Sequence, residues 1–152
     1  MVRRAGIEDA CAVAQLLHDF NRDFDEPTPP VDELAPRVAQ LLEGGDTVVL
    51  LVGEGPDGLA VLRFRAAIWS GGLECYLAEL YVRPARRGCG LGRALMDAAL
   101  KEARRRGADT MDIGVDGSDL TARRLYESLG FTNRTGGDDG PLMYVYELDL
   151  RD

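Results

Sequence analysis

A glycine-rich turn between a strand and a helix constrains this chain more than any other part of its sequence. Residues 76–82 (YLAELYV) are apolar and aromatic and end at Arg83-Pro84, a pattern that predicts a strand and its stop. The turn, residues 86–92, has the sequence RRGCGLG. The next segment predicts an amphipathic helix, since apolar residues recur at helical spacing at positions 91, 94, 95, 98 and 99.

This turn has the composition of an anion site. Unpaired N–H groups and the dipole at a helix start attract anions, and glycines leave the backbone accessible. A P-loop would need Lys-Ser/Thr after its last glycine, and a dinucleotide fingerprint would need glycine where the chain has Arg93. A turn without a ligand is the alternative, which the two preceding arginines disfavour. The sequence therefore predicts a phosphate site of another kind.

Two motifs carry a resemblance to a known family. The pattern Arg87-x-x-Gly90-x-Gly92 resembles the pyrophosphate-binding motif of the GNAT N-acetyltransferase superfamily, and residues 122–131 (ARRLYESLGF) resemble its C-terminal motif. Asp119 stands where that motif commonly has Asn. The resemblance covers essentially the whole chain. It implies an α/β GNAT fold, a mixed, mostly antiparallel twisted sheet with helices on both faces, in a single domain of residues 1–152.

Periodicity and turn residues predict the element order β-α-α-β-β-β-α-β-α-β. The predicted helices follow Gly6 to about Arg22, then cover residues 31–43, 91–106 and 121–129. The predicted strands are residues 2–4, 47–53, 58–65 with an extension towards Trp69, the segment ending at Val82, 110–115 and 143–150.

The resemblance implies acetyl-CoA as the acyl donor and no metal. By position, strand backbone would contact the pantetheine chain, with the Val82 N–H as partner of the thioester oxygen, and the turn would hold the diphosphate. The donor-binding residues implied are Leu80, Tyr81, Val82, Arg87, Gly88, Cys89, Gly90, Leu91, Gly92, Arg93, Asp119 and Tyr126. Cys89 is a small filler rather than a nucleophile in this interpretation.

Two side chains are candidates for proton transfer. Tyr126 matches the family's usual general acid, since a phenol with a pKa near 10 holds a proton at neutral pH; its alternative role is that of a core tyrosine. Glu79 is the candidate general base, and a solvent-facing or ion-paired strand residue is the alternative. Glu74 is the second choice as base.

Charge bears on the partners of this chain. The net charge of −8 argues against nucleic-acid binding, which requires a positive surface. Residues 19–33 hold six acids and one base, and Asp25 and Glu26 there are candidate ligands for an ammonium group. An acidic loop that only aids solubility is an equal alternative.

The composition and the resemblance together predict a function. Three cysteines without metal spacing, no signal-like start and no apolar run of membrane length predict a cytoplasmic protein. We expect acetyl transfer to a small cationic amine such as a polyamine, an aminoglycoside or an amino-acid-like amine, with a protein N-terminus or lysine still possible. A homodimer is possible. The alternative function is an acyl-CoA-binding sensor that does not turn over.

Overall fold

The computed structural model describes residues 1–151, which form two compact units. The first unit is Met1–Ile113, and the second is Gly114–Asp152. Because the family resemblance spans both, the expectation of one domain remains a prediction. Each unit is described by itself.

The first unit contains a five-stranded sheet and three α-helices. Its helices are α1 Ala10–Asp23, α2 Val31–Gly44 and α3 Leu91–Arg105, with short 3-10 turns at Ile7–Asp9 and Pro84–Arg86. Its strands are β1 Val2–Arg4, β2 Thr47–Val52, β3 Gly58–Ala66, β4 Leu73–Val82 and β5 Ala108–Ile113. The strands are ordered β1-β2-β3-β4-β5, and every neighbouring pair is antiparallel except β4 with β5.

Helices cover both faces of this sheet. Side chains alternate between faces along a strand, and all six residues of β2 are buried, so each face of β2 is covered. On one face, Val13 and Leu16 of α1 pack with Val49 and Leu59 in a cluster that also includes residues of α2. Helix α3 buries its own stripe, Leu95, Met96, Ala99 and Ala103, and contacts β2, β3, β4 and β5. The predicted mixed, mostly antiparallel sheet with helices on both faces is confirmed.

A β-bulge interrupts β4 at Ala78. Val61 of β3 pairs with Glu79, whereas the next residue, Leu62, pairs with Leu77, so Ala78 has no partner. An extra residue of this kind resets the alternation of side chains. Glu79 therefore faces the same side of the sheet as Val61, the side on which α1 and α2 lie.

The parallel strands β4 and β5, at one edge of the sheet, pair over only part of their length. Pairing of β4 with β5 runs from Leu73 to Leu77, where Leu77 lies opposite Ile113. Beyond that point, β4 continues to Val82 with β3 as its only paired strand. The β5-facing edge of residues 78–82 is thus open.

The second unit contains one helix, α4 Leu120–Ser128, and here one predicted strand is wrong. The alternating segment 143–150 forms no strand; the only bridge there joins Arg134 to Leu142. Alternation describes a strand's faces, but a strand also needs a partner for its backbone. Apart from the Met143 N–H, which donates to the Asn133 carbonyl at 2.7 Å, the described part of the chain supplies no backbone partner to this segment.

The predicted extension of β3 towards Trp69 is also wrong. The strand ends at Ala66, and the chain turns back where the Ala67 N–H donates to the Gly72 carbonyl at 3.0 Å. Trp69 is 94% exposed in that turn. No helix in residues 1–151 has both the length and the apolar character needed to cross a membrane.

Candidate functional site

The turn that follows β4 has a backbone that only glycine adopts readily. Gly88 and Gly90 have φ angles of +79° and +81°, and Gly90 is the N-cap residue of α3. A Cβ atom built at either position meets nothing within 4 Å. Backbone conformation rather than crowding therefore requires these glycines, and the space beside them is open.

The start of α3 presents donors towards that space. Its first hydrogen bond joins the Ala94 N–H to the Gly90 carbonyl at 3.0 Å, so the N–H groups of Leu91 and Gly92 have no acceptor within the helix. A helix of 15 residues adds a dipole whose positive end is at this point. Open space, exposed N–H groups and nearby arginines fit the diphosphate of acetyl-CoA.

Carboxylates already engage the arginines next to the turn. Arg83 donates to Asp19 at 2.7 Å, and Arg86 donates to Asp57 at 3.0 Å. These pairs join the turn to α1 and to the β2–β3 connection. Arg83 and Arg86 therefore have a structural role in the folded chain.

Arg87 has a different set of contacts. Its Nε donates to the Val82 carbonyl at 2.9 Å, its Nη2 lies 3.9 Å from an oxygen of Asp23, and its guanidinium carbon lies 5.8 Å from the Tyr81 ring centroid. The side chain is still 48% exposed. Arg87 is thus oriented by the fold and accessible to a phosphate.

Tyr81 links the turn to α1. Its hydroxyl donates to Asp23, and its buried ring stacks on Phe20 with centroids 4.9 Å apart. Burial, and then the bond to Asp23, raises the pKa of Tyr81 to about 12. Asp23 is one of the acids in residues 19–33, and no local pattern there predicts a role for it, although it contacts both Tyr81 and Arg87.

The backbone of β4 presents alternate residues to its open edge. The Arg83 N–H donates towards β3, to the Asp57 carbonyl at 2.8 Å. Because backbone groups alternate in direction along a strand, those of Leu80 and Val82 point away from β3, and those of Tyr81 point towards it. The predicted thioester contact of Val82 is compatible with this geometry. The backbone of Tyr81 does not face the open edge, but its side chain lies next to the turn.

Glu79 is a half-buried carboxyl group without a partner. Among the described residues it makes no hydrogen bond or ion pair, and burial raises its pKa above the ordinary value. Glu74, the second-choice base, differs because it accepts a hydrogen bond from Arg65. Of the two acids on β4, only Glu79 has the environment of a general base.

The proposed ammonium ligands follow α1 directly. Asp25 and Glu26 are exposed, Asp25 has a φ of +55°, and the Glu26 N–H donates to the Asn21 carbonyl at 2.8 Å. They come two and three residues after Asp23, which contacts Tyr81. Cys89 is exposed within the turn, with its sulfur 3.9 Å from the Arg87 carbonyl oxygen.

The second unit holds the remaining candidates, Asp119 and Tyr126. Asp119 is the N-cap residue of α4, and its carboxylate accepts the Ala122 N–H at 3.1 Å. Tyr126 is buried, and its ring lies edge-on to Phe131 with centroids 5.9 Å apart. Burial, and then the charge of Asp119, raises the Tyr126 pKa to about 12. Its hydroxyl has no hydrogen-bond partner within residues 1–151.

Comparisons with known proteins agree on a family. Residues 13–131 match the model of the Acetyltransferase (GNAT) family. The chain is 52% identical to a proposed acetyltransferase from Arthrobacter sp. FB24, whose crystal structure superposes with a TM-score of 0.89 over 97% of this chain and 95% of that one.

Two curated relatives match over part of their length. A mycothiol acetyltransferase of Kineococcus radiotolerans is 40% identical over 84% of this chain and 40% of its own length. An L-methionine sulfoximine/L-methionine sulfone acetyltransferase of Salmonella typhimurium is 45% identical over 36% of this chain and 32% of its own length. The chain thus spans about two fifths of the mycothiol relative. Because most residues of this chain match the family model, the chain belongs to the GNAT acetyltransferase family.

Proposed function

We propose that this chain transfers the acetyl group of acetyl-CoA to the primary amine of a small molecule that is cationic at neutral pH. The observation that carries the proposal is the glycine turn at the end of β4, next to strand backbone that has no paired strand on its β5 side. A diphosphate at the turn would direct the attached pantetheine chain along this open edge.

Each step of the transfer has a candidate residue. Bound acetyl-CoA supplies a thioester carbonyl that an amine can attack. Glu79 accepts a proton from the bound ammonium, directly or through a water, which leaves a neutral amine to attack the carbonyl carbon, and the Val82 N–H donates to the developing oxyanion. The new N–C bond forms in a tetrahedral adduct. When this adduct collapses, the C–S bond breaks, the nitrogen loses its second proton to solvent water, and Tyr126 supplies a proton to the departing thiolate.

The acidic residues of one loop indicate that the acceptor carries a positive charge. Asp25 and Glu26 are exposed carboxylates on the loop after α1, and we assign them to the ammonium group of the acceptor. The relatives named for mycothiol and for L-methionine sulfoximine extend well beyond the part that they share with this chain. Their substrates are therefore not assigned to this chain and are used only as compounds to test in an assay. A homodimer stays a prediction.

The test of the activity is release of free thiol from acetyl-CoA across a panel of amines. Polyamines, aminoglycosides, amino acids and lysine peptides would each be incubated with the full chain, and the acetylated product identified by mass spectrometry. Amine-dependent release with matching product supports transfer. Binding of acetyl-CoA without release for any amine would instead support the sensor function.

Tyr126→Phe tests the general acid. Removing a general acid costs on the order of 10²–10⁴ in rate. We expect a fall of that size in kcat, with the KM for acetyl-CoA within a factor of about three, because only the hydroxyl is lost. Circular dichroism and the melting temperature check that α4 is intact, and an unchanged kcat would remove Tyr126 from the mechanism.

A further inference from the structure

An open cavity of about 330 Å³ lies along the first half of β4, the end of that strand opposite the glycine turn. Cavities of this size hold small organic ligands. Its lining is unusually rich in charge and includes Asp46, Arg63, Arg65, Glu74, Tyr76 and Asp112. The donor contacts described above use none of these residues.

Only some of these charges neutralise one another. Arg65 is paired with Glu74. Within residues 1–151, the side chains of Arg63, Asp46 and Asp112 make no hydrogen bond or ion pair, although the charge of Asp112 also acts on Arg65. The cavity therefore presents a free guanidinium and two free carboxylates, which together suit a ligand that carries both signs of charge.

The bulge at Ala78 aligns this cavity with the candidate base. Arg63 pairs with Tyr76 and Val61 pairs with Glu79, so Tyr76 and Glu79 face the same side of the sheet despite their odd separation. Arg63 is the diagonal neighbour of Glu79, a relation that places Cα atoms roughly 7–8 Å apart. A guanidinium and a carboxyl group on such side chains can reach the two ends of one small molecule.

We propose that the cavity binds the carboxylate of a small zwitterionic acceptor, an amino acid or a close analogue, through Arg63, with the amine directed at Glu79. This assignment rests on the proposed acetyl transfer. It keeps the ammonium group of the proposed acceptor but adds a carboxylate, so that the acceptor no longer needs a net positive charge. The half-exposed ring of Tyr76 supplies an apolar wall for the acceptor's side chain. An acceptor with two or more ammonium groups and no anion would place a positive charge against Arg63.

The first experiment compares matched acceptors on the unmodified chain. Common L-amino acids with a free α-amine would each be assayed beside their carboxamide and their decarboxylated amine. A guanidinium–carboxylate contact contributes about 10- to 100-fold. We expect kcat/KM for at least one amino acid to exceed that of its amide and its amine by that factor.

The second experiment removes the guanidinium. Arg63→Gln should lower kcat/KM for that amino acid about 10- to 100-fold, mainly through KM, and should leave the amide within a factor of about three. Arg104→Gln is the matched control, since Arg104 is an exposed arginine on α3 whose side chain has no hydrogen-bond or ion-pair partner in the described structure. The KM for acetyl-CoA should stay unchanged in both variants.

Isothermal titration of the same amino acids and amides extends the test to a chain that does not turn over. Amino-acid binding that Arg63→Gln abolishes supports the cavity assignment even if no thiol is released, in which case only the proposed transfer fails. Amides or polyamines that react as well as amino acids overturn the assignment and leave the transfer standing. No binding and no reaction of any amino acid also overturns it.

Discussion

Two acids on one strand differ because of what surrounds them. Glu74 is paired with Arg65, whereas Glu79 is half-buried, has no partner in the described chain and has a raised pKa caused by burial. A charged carboxylate in that environment is destabilised relative to water. Glu79 therefore binds a proton at a higher pH than an exposed glutamate does.

Glu79→Gln should change the pH profile of acetyl transfer. A base acts only when deprotonated, so the wild-type rate should rise with pH until it passes the raised pKa of Glu79 and then level off. The variant should lose about 10²-fold or more in kcat/KM, and its residual rate should follow deprotonation of the amine at higher pH. Asp97→Asn, which alters an exposed acid on α3, is the control.

The same substitution has a predictable effect on stability. Because the folded-state pKa of Glu79 lies above the unfolded one, folding stability falls as pH rises from the unfolded pKa through the folded pKa. Glu79→Gln removes this loss, so the variant should be more stable than wild type at pH 7 in urea denaturation. A variant that is both inactive and less stable would indicate a structural role.

The sequence predicted some residues near the site and did not predict others. The glycines of the turn were predictable because their positive φ angles leave few other choices. Asp23 was not, since its partner Tyr81 is 58 residues away in the chain and only folding brings them together. The residues next to Asp23 in the sequence do not indicate such a contact.

At the scale of elements, the turn and α3 form one anion-binding unit. Gly90→Ala should destabilise the chain by about 1–2 kcal/mol, because an L-residue is strained at the left-handed φ of that position. It should also raise the KM for acetyl-CoA several-fold, since the turn would relax away from the N–H groups of α3.

Gly71→Ala is the matched control for this prediction. Gly71 also has nothing within 4 Å of an added Cβ, and its φ lies outside the left-handed region. Its stability should change by no more than about 0.5 kcal/mol. Equal losses in the two variants would show that side-chain volume matters here instead of backbone conformation.

Elements with strong local patterns were predicted well, and elements that depend on pairing were not. The three helices of the first unit begin and end close to the predicted residues because their apolar stripes and stop residues are local. The segment 143–150 alternates as a strand does and forms none. The bulge at Ala78 could not be predicted from the sequence, because alanine also occurs at ordinary strand positions.

For the molecule as a whole, the net negative charge opposes binding of the proposed phosphate-bearing donor, and one carboxylate next to the turn adds to this effect. A chain of net charge −8 has to attract a donor that carries phosphates. Asp23 lies 3.9 Å from Arg87 and so competes with a phosphate for that guanidinium. It also accepts the Tyr81 hydroxyl, which holds the end of α1 against β4.

Asp23→Asn should separate these two effects. An amide oxygen still accepts the Tyr81 hydroxyl, but the negative charge beside Arg87 is gone, so the KM for acetyl-CoA should fall about three- to tenfold at low salt and less at high salt. Glu43→Gln, at the exposed end of α2, removes the same charge elsewhere and should have little effect. A higher KM in Asp23→Asn would mean that the carboxylate orients Arg87 for binding.

The bulge at Ala78 also affects how related sequences should be compared. A relative that lacks this one residue would have its counterparts of Tyr76 and Glu79 two positions apart on a regular strand, and therefore on the same face. A relative that keeps the residue but pairs without a bulge would have them on opposite faces. An ungapped alignment with the second relative would look conservative by identity, yet it would join a chain that can present a carboxylate anchor and a base to one ligand with a chain that cannot.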